Sequence, residues 1–100
     1  MILSGSQTVA VTNTARALTP GTRTPASWVI VQARLANANR MAVGGSNCDA
    51  TAGSEVGVVL DGGESVTLPE AGAGATYIDL QHVFINGTAP QGVSFTYGRR

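Results

Sequence analysis

The sequence predicts an all-β fold: an antiparallel β-sandwich, or a flattened barrel, of about seven short strands. β-Branched residues cluster in short runs, Gly, Pro, Asn and Asp separate these runs, and no segment has helical periodicity long enough for a crossover helix. The predicted strands span residues 7–12, 27–36, 40–44, 56–60, 64–68, 79–86 and 93–97. A chain of 100 residues has room for one domain, so we expect an N-terminal arm over residues 1–7 and one sandwich over residues 8–98.

The first two predicted strands lie on either side of an extended loop. Val9 and Val11 alternate with small or polar residues in the first, and two prolines and a glycine in residues 19–25 predict the loop. The second strand has the strongest alternation in the chain. Its core face is predicted to carry Val29, Val31, Ala33 and Leu35, and its other face Trp28, Ile30, Gln32 and Arg34.

Turns separate the next three predicted strands. Asparagines tolerate left-handed backbone, so residues 37–39 predict a turn before the strand that carries Met41 and Val43. Residues 45–53 are small and polar and predict a loop. The Asp61-Gly62 pair then predicts a tight hairpin turn, with Val66 directed inward on the returning strand.

The last third of the chain predicts a flexible loop over residues 69–75 and then a long central strand. This strand, residues 79–86, is apolar on both faces, as expected for a strand that is covered on both sides. Its predicted faces carry Val83 and Ile85 on one side and Leu80 and Phe84 on the other. The final predicted strand alternates Val93, Phe95 and Tyr97 with Ser94 and Thr96.

The charge content of the chain favours a protein-binding role. Only 12% of residues are charged, roughly half the usual share, and the formal net charge is zero. A small domain with few charges must expose uncharged surface, which is typical of protein interfaces. No basic stripe indicates nucleic-acid binding, no apolar run is long enough for a membrane helix, and we expect no signal peptide. All six basic residues are arginine, which interfaces favour, although codon bias explains this equally well.

The residues that carry chemistry are sparse, and the sequence predicts no enzyme, metal site or cofactor. His82, the only histidine, is expected to be a partly buried structural residue, and Cys48 has no histidine near it in sequence. A single cysteine cannot form an intramolecular disulfide, so a reducing compartment is the simplest setting. Asn86-Gly87-Thr88 matches a glycosylation sequon, but no secretion route is visible.

Turn and strand motifs span about two-thirds of the chain. They are Val29-Ile30-Val31-Gln32-Ala33, the asparagine turn at residues 37–39, Met41-Ala42-Val43-Gly44-Gly45, Val58-Val59-Leu60-Asp61-Gly62-Gly63-Glu64-Ser65-Val66-Thr67-Leu68, Val83-Phe84-Ile85-Asn86-Gly87-Thr88 and Gly92-Val93-Ser94-Phe95-Thr96-Tyr97. In this order they resemble a group of small β-sandwich virion proteins of tailed bacteriophages. The chain departs from that pattern at Asp61-Gly62, where a Pro-Gly is expected, and at Phe95, where tyrosine is common. Neither departure threatens the fold.

The resemblance implies a capsid decoration (cement) protein that binds the major capsid protein from outside and stabilises the virion. It is then made in the bacterial cytoplasm and ends on the capsid exterior, and repeated capsid sites suggest a homo-oligomer, with a trimer as the natural form. Exposure arguments select the candidate interface residues Ile2, Leu3, Arg16, Arg23, Trp28 and Tyr77. The alternatives are a tail, neck or fibre component, or a small carbohydrate- or receptor-binding module, which predicts several exposed aromatics on one sheet face.

Overall fold

The computed structural model describes residues 2–68 and 78–99 and confirms the predicted antiparallel β-sandwich. Its strands are β1 Ile2–Thr8, β2 Arg16–Ala17, β3 Pro25–Ala33, β4 Met41–Gly44, β5 Val58–Leu60, β6 Ser65–Leu68, β7 Ile78–Asp79, β8 Phe84–Asn86 and β9 Gly92–Arg99. One turn of 3₁₀ helix, Leu80–His82, separates β7 from β8. In the part of the chain that the structure describes, no helix is long and apolar enough to cross a membrane.

The first sheet, which we call sheet A, has the strand order β1-β9-β3-β6. The alternation predicted for β3 is present: Val29, Val31 and Ala33 are fully buried, whereas Ile30 and Gln32 are exposed. β9 is the central partner, because it pairs with β1 along one edge and with β3 along the other. β7 pairs with the start of β3 on the edge that β6 also uses.

The second sheet, sheet B, has the order β2-β8-β4-β5 and packs its inner face on sheet A. Apolar residues at every second position of the strands form one buried cluster, because alternate side chains of a strand point to the same face of the sheet. The members from sheet A include Val29, Val31, Val93 and Phe95, and those from sheet B include Met41, Val43, Leu60 and Ile85. The core therefore lies between the sheets and leaves two outer faces.

The prediction of an N-terminal arm is corrected by strand β1. Residues predicted to lie outside the domain instead pair with β9 along seven positions, from Ile2 opposite Gly98 to Thr8 opposite Gly92. The predicted strand over residues 7–12 ends at Thr8, although Val9 beyond it is buried. The two-residue strand β2 was not predicted, and the predicted strand over residues 79–86 is divided into β7 and β8, so the described residues form nine strands.

Two predictions in other strands were also wrong. The long central strand predicted over residues 79–86 is interrupted because the Asp79 carboxylate accepts a bond from the Gln81 N–H at 3.0 Å, which caps a 3₁₀ turn. Leu35, predicted to face the core, is 86% exposed because β3 ends at Ala33. The loop predicted over residues 69–75 lies outside the described residues.

Candidate protein interface

The one cysteine and the one histidine of the chain lie in different environments. His82, predicted to be partly buried, is exposed at the end of the 3₁₀ turn. Cys48 is buried, and this burial raises the pKa of its thiol to about 11, so the thiol is protonated at neutral pH. The described residues contain no group of three or more His, Cys, Asp or Glu that could hold a metal ion.

Two open cavities lie among the loops, and their walls contain no cysteine, histidine or carboxylate. The first, about 310 Å³, is lined by Thr12, Asn13, Asn39, Arg40, Ala50, Thr51, Ala52, Gly87 and Thr88. The second, about 360 Å³, is lined by Arg34, Ala36, Asn37, Ala38, Ala89, Pro90, Gln91 and Gly92. Arg40 in the first cavity is already paired with Glu55 at 3.4 Å. Neither wall supplies the Cys48 or His82 side chain that an enzyme hypothesis required.

The sequon asparagine, Asn86, has a structural role. It is 4% exposed, its amide Nδ2 donates to the Cys48 carbonyl at 2.8 Å, and its Oδ1 accepts from the Gly87 N–H at 2.8 Å. A side chain held in this way cannot be glycosylated in the folded protein. The bond to the Cys48 carbonyl instead attaches the 45–57 loop to β8.

That loop covers part of the outer face of sheet B. Ala42 on this face is fully buried, and Cys48 of the loop lies against it, with its Sγ 4.0 Å from the Ala42 carbonyl oxygen. A Cβ added at Gly44 would meet the Cys48 Cβ at 3.6 Å, which shows how closely the loop packs on β4. The outer face of sheet B is therefore partly occupied by the chain itself.

The outer face of sheet A has no such cover among the described residues, and the eleven residues of its three central rows are uncharged. Exposed Arg34, whose N–H donates to the Gly92 carbonyl, borders these rows. We call the three rows the charge-free face, which consists of Ile2, Ser4, Ser6, Trp28, Ile30, Gln32, Ser65, Thr67, Ser94, Thr96 and Gly98. The strand register arranges them in rows across the sheet, one of which runs Ser4–Thr96–Ile30–Thr67. Ser4 and Thr96 are also hydrogen-bonded through their hydroxyls at 3.2 Å. A surface of this kind loses less free energy on desolvation against another protein than a charged surface does.

Two of the predicted interface residues meet on this face. Ile2 and Trp28 lie in one row, on either side of Gly98, and Ile2 is 70% exposed. At the centre of the face Ile30 is 39% exposed. The row of Ile2 and Trp28 supplies an apolar and an aromatic contact at one end of a hydroxyl-rich surface, and Trp is frequent in binding hot spots.

The other predicted interface residues are dispersed. Leu3 points towards the inner side of sheet A and is half-buried, whereas Arg16 is exposed on β2 of sheet B. Arg23 is exposed in the loop before β3, with its Nε 4.0 Å from an Asp79 carboxylate oxygen. Tyr77 lies outside the described residues. The structure therefore does not bring the six candidates together as one surface.

Most of the charge-free face was missed by sequence reasoning. Serine and threonine at alternate positions of β1, β6 and β9 form it, and a hydroxyl-rich strand gives little hydrophobic periodicity to detect. The signal that was available is the absence of charge at Ile2, Ser4 and Ser6 and at Ser94 and Thr96. Trp28 is the only aromatic residue on the described part of this face. Phe95 and Tyr97 lie on the inner side of the sheet and stack on each other, with their ring centroids 5.9 Å apart.

Comparisons with protein-family models, curated proteins and solved structures find no match to this chain.

Proposed function

We propose that this protein is a bacteriophage capsid decoration protein that binds the outer surface of the major capsid protein shell through its charge-free face. The observation that carries the binding role is this face: an uncharged outer surface that no described residue covers, on a sheet whose partner sheet is partly covered by its own loop. The virion setting rests on the resemblance of the turn and strand motifs to small virion proteins of tailed phages.

The physical requirements of decoration agree with the fold. A decoration protein must resist deformation while it holds a shell from outside, and a sandwich with a continuous buried core provides a rigid support. Binding energy is then repeated over many symmetric sites, so each contact can be modest and still reinforce the shell. A charge-free face also makes attachment less sensitive to ionic strength than a charged one.

Charge placed at the centre of the face tests the proposal. Ile30→Lys introduces a charge that the capsid contact would have to desolvate without a partner, so occupancy on purified particles should fall about tenfold or more. Val56→Lys is the matched control, since Val56 is exposed to a similar degree, 41% against 39%, but lies in the 45–57 loop away from sheet A.

Copy number and particle stability are read in the same experiment. We expect one copy per few capsid subunits, and particles without the protein should release DNA at a lower temperature. A few copies per particle would instead indicate a tail, neck or fibre component. Equal occupancy of the Ile30→Lys and Val56→Lys variants would reject the charge-free face as the contact surface.

A further inference from the structure

Strand β1 forms the longest open edge among the described residues. It lies at the end of sheet A, and its seven residues, ILSGSQT, contain no charge, no proline and no bulge. The other described edge strands are short: β2 and β7 have two residues each, β5 three and β6 four. Exposed edges are normally protected by charges, prolines, bulges or short length, because they otherwise pair with another strand. β1 has none of these protections.

The hydrogen-bond pattern shows which groups point outward from this edge. The Val9 N–H donates to the Gln91 carbonyl at 2.9 Å, and on the other side of β9 the Arg34 N–H donates to the Gly92 carbonyl at 3.1 Å. Antiparallel ladders alternate between bonded and non-bonded pairs, so the odd-numbered residues of β1 bond to β9. The N–H and C=O groups of Ile2, Ser4 and Ser6 therefore face away from the sheet.

The side chain of Gln7 ends this open edge at Thr8. Its Oε1 accepts the outward Thr8 N–H at 3.1 Å, and its Nε2 donates to the Ala17 carbonyl of β2 at 2.9 Å. The edge that remains available thus contains three residues with outward groups, centred on Ser4. An antiparallel partner with the same length and spacing of outward groups is β1 itself.

We infer that β1 pairs antiparallel with β1 of a second copy of this chain, about a twofold axis through Ser4. Ile2 of each copy then lies opposite Ser6 of the other, and all outward groups of Ile2, Ser4 and Ser6 are bonded in both copies. On the inner side Leu3 lies opposite Gly5, so a large side chain faces a residue that has none. No charged residue of β1 opposes the contact.

This pairing also enlarges the charge-free face, which is small in a single copy. Four strands spaced about 4.8 Å apart and about five residues long give a surface of roughly 15 by 17 Å. That is well below the roughly 800 Å² that each partner buries in a standard interface. Because cross-strand pairs point to the same side of a sheet, the dimer joins two such faces into one eight-stranded surface. A twofold dimer then replaces the trimer expected from capsid symmetry, and the inference stands without the proposed function.

A proline substitution tests the pairing in the full chain. Ser4→Pro removes an outward donor while leaving the ladder to β9 intact, since prolines are tolerated on edge strands. The wild-type protein should dimerise with rising concentration in analytical ultracentrifugation, and Ser4→Pro should weaken this association about tenfold or more. Ser4→Ala, which keeps the N–H group, should dimerise like the wild type, and far-ultraviolet circular dichroism confirms that each variant is folded.

Cysteine crosslinking tests the register separately. In the proposed dimer the two Ser4 Cα atoms lie about 5.5 Å apart, within the range for a disulfide. The two Ser6 Cα atoms lie four residues apart along the strands, roughly 14 Å, which is too far. Ser4→Cys should therefore form a disulfide-linked dimer under mild oxidation much faster than Ser6→Cys, while buried Cys48 does not react. A wild-type protein that stays monomeric, an unaffected Ser4→Pro variant, or equal crosslinking at both sites would overturn the inference.

Discussion

The indole of Trp28 lies over Gly98 on the neighbouring strand, so closely that a Cβ added at Gly98 would be 2.5 Å from the indole Nε1 and 2.8 Å from Cε2. The two residues are opposite each other in the β3–β9 register. Because Gly98 has no side chain, the indole occupies the space above the backbone of β9 and buries Gly98. The position of the aromatic residue on the charge-free face thus depends on a glycine on the adjacent strand.

Substitution of Gly98 should displace the indole. Gly98→Val keeps a residue that is suited to a strand but places its branched side chain in the space of Trp28, so we expect a red-shifted tryptophan emission. The free energy of unfolding should fall by about 1 kcal/mol because of the overpacking. Ser94→Val, on the same strand and face but away from Trp28, is the matched control. An unchanged emission spectrum in Gly98→Val would show that the indole does not depend on Gly98.

Gly5 should be equally sensitive because its position is filled by a core residue. A Cβ at Gly5 would lie 2.7 Å from Cζ of Phe95, whose ring is 5% exposed. Gly5→Ala should therefore cost about 1–3 kcal/mol of unfolding free energy, measured by urea denaturation. Ser6→Ala, its neighbour on the exposed face, should be nearly neutral.

A double-mutant cycle identifies the cause of the Gly5 effect. If the clash with the Phe95 ring is responsible, Gly5→Ala should cost less in a Phe95→Leu background, because the smaller side chain leaves room for the methyl group. An equal cost in both backgrounds would place the effect in the β1 backbone instead.

The sequence predicted the elements whose burial follows a two-residue period. Val29 and Val31 alternate with Ile30 and Gln32, and this pattern was enough to assign the faces of β3 and the sandwich class. Strand β1 escaped prediction because Ser4, Gly5 and Ser6 have weak strand propensity, and only their pairing with β9 makes them a strand.

Side-chain caps and strand ends explain the other differences. Leu80 is apolar and fully buried, as expected for a central strand, but the Asp79 carboxylate accepts the Gln81 N–H and caps a 3₁₀ helix there. Leu35 continues the apolar alternation of β3 beyond the end of the strand, and it packs instead beside Gly63, where an added Cβ would be 2.8 Å from its Cδ2. Periodicity cannot detect either contact. The charge-free face was likewise invisible until the register placed its hydroxyl residues side by side.

Asn86 should be important for stability, although it is polar. Asn86→Ala leaves the Cys48 carbonyl oxygen buried without its donor and frees the attached loop, so we expect a loss of about 1–3 kcal/mol. Asn47→Ala, at an exposed position in the same loop, should change the unfolding free energy by less than about 0.5 kcal/mol. The unfolding free energies of the two variants are compared by thermal unfolding. An Asn86→Ala protein as stable as Asn47→Ala would contradict the role assigned to the amide.

The stability of the protein should depend on the ionisation of Asp79. Its Oδ1 accepts the Thr24 N–H at 2.9 Å and the Gln81 N–H at 3.0 Å, and these bonds, with the nearby His82 and Arg23 charges, hold the pKa of the carboxyl below its ordinary value of 3.8. A carboxyl whose pKa is lowered by folding stabilises the protein above the ordinary value. That contribution is lost as the pH falls through the lowered pKa.

Asp79→Asn tests this dependence because it keeps an oxygen acceptor and removes the titration. In thermal unfolding from pH 7 to about pH 2, the variant should be less stable than the wild type at neutral pH, and the difference should shrink as the pH falls below 3.8. The Thr24 hydrogen bond is the largest cause of the lowered pKa, so the difference at neutral pH should persist in about 1 M salt, where exposed charges are screened. If the stability difference between Asp79→Asn and the wild type stayed constant with pH, the Asp79 charge would not stabilise the fold. A difference abolished by salt would assign the effect to Arg23 and His82 rather than to the backbone bonds.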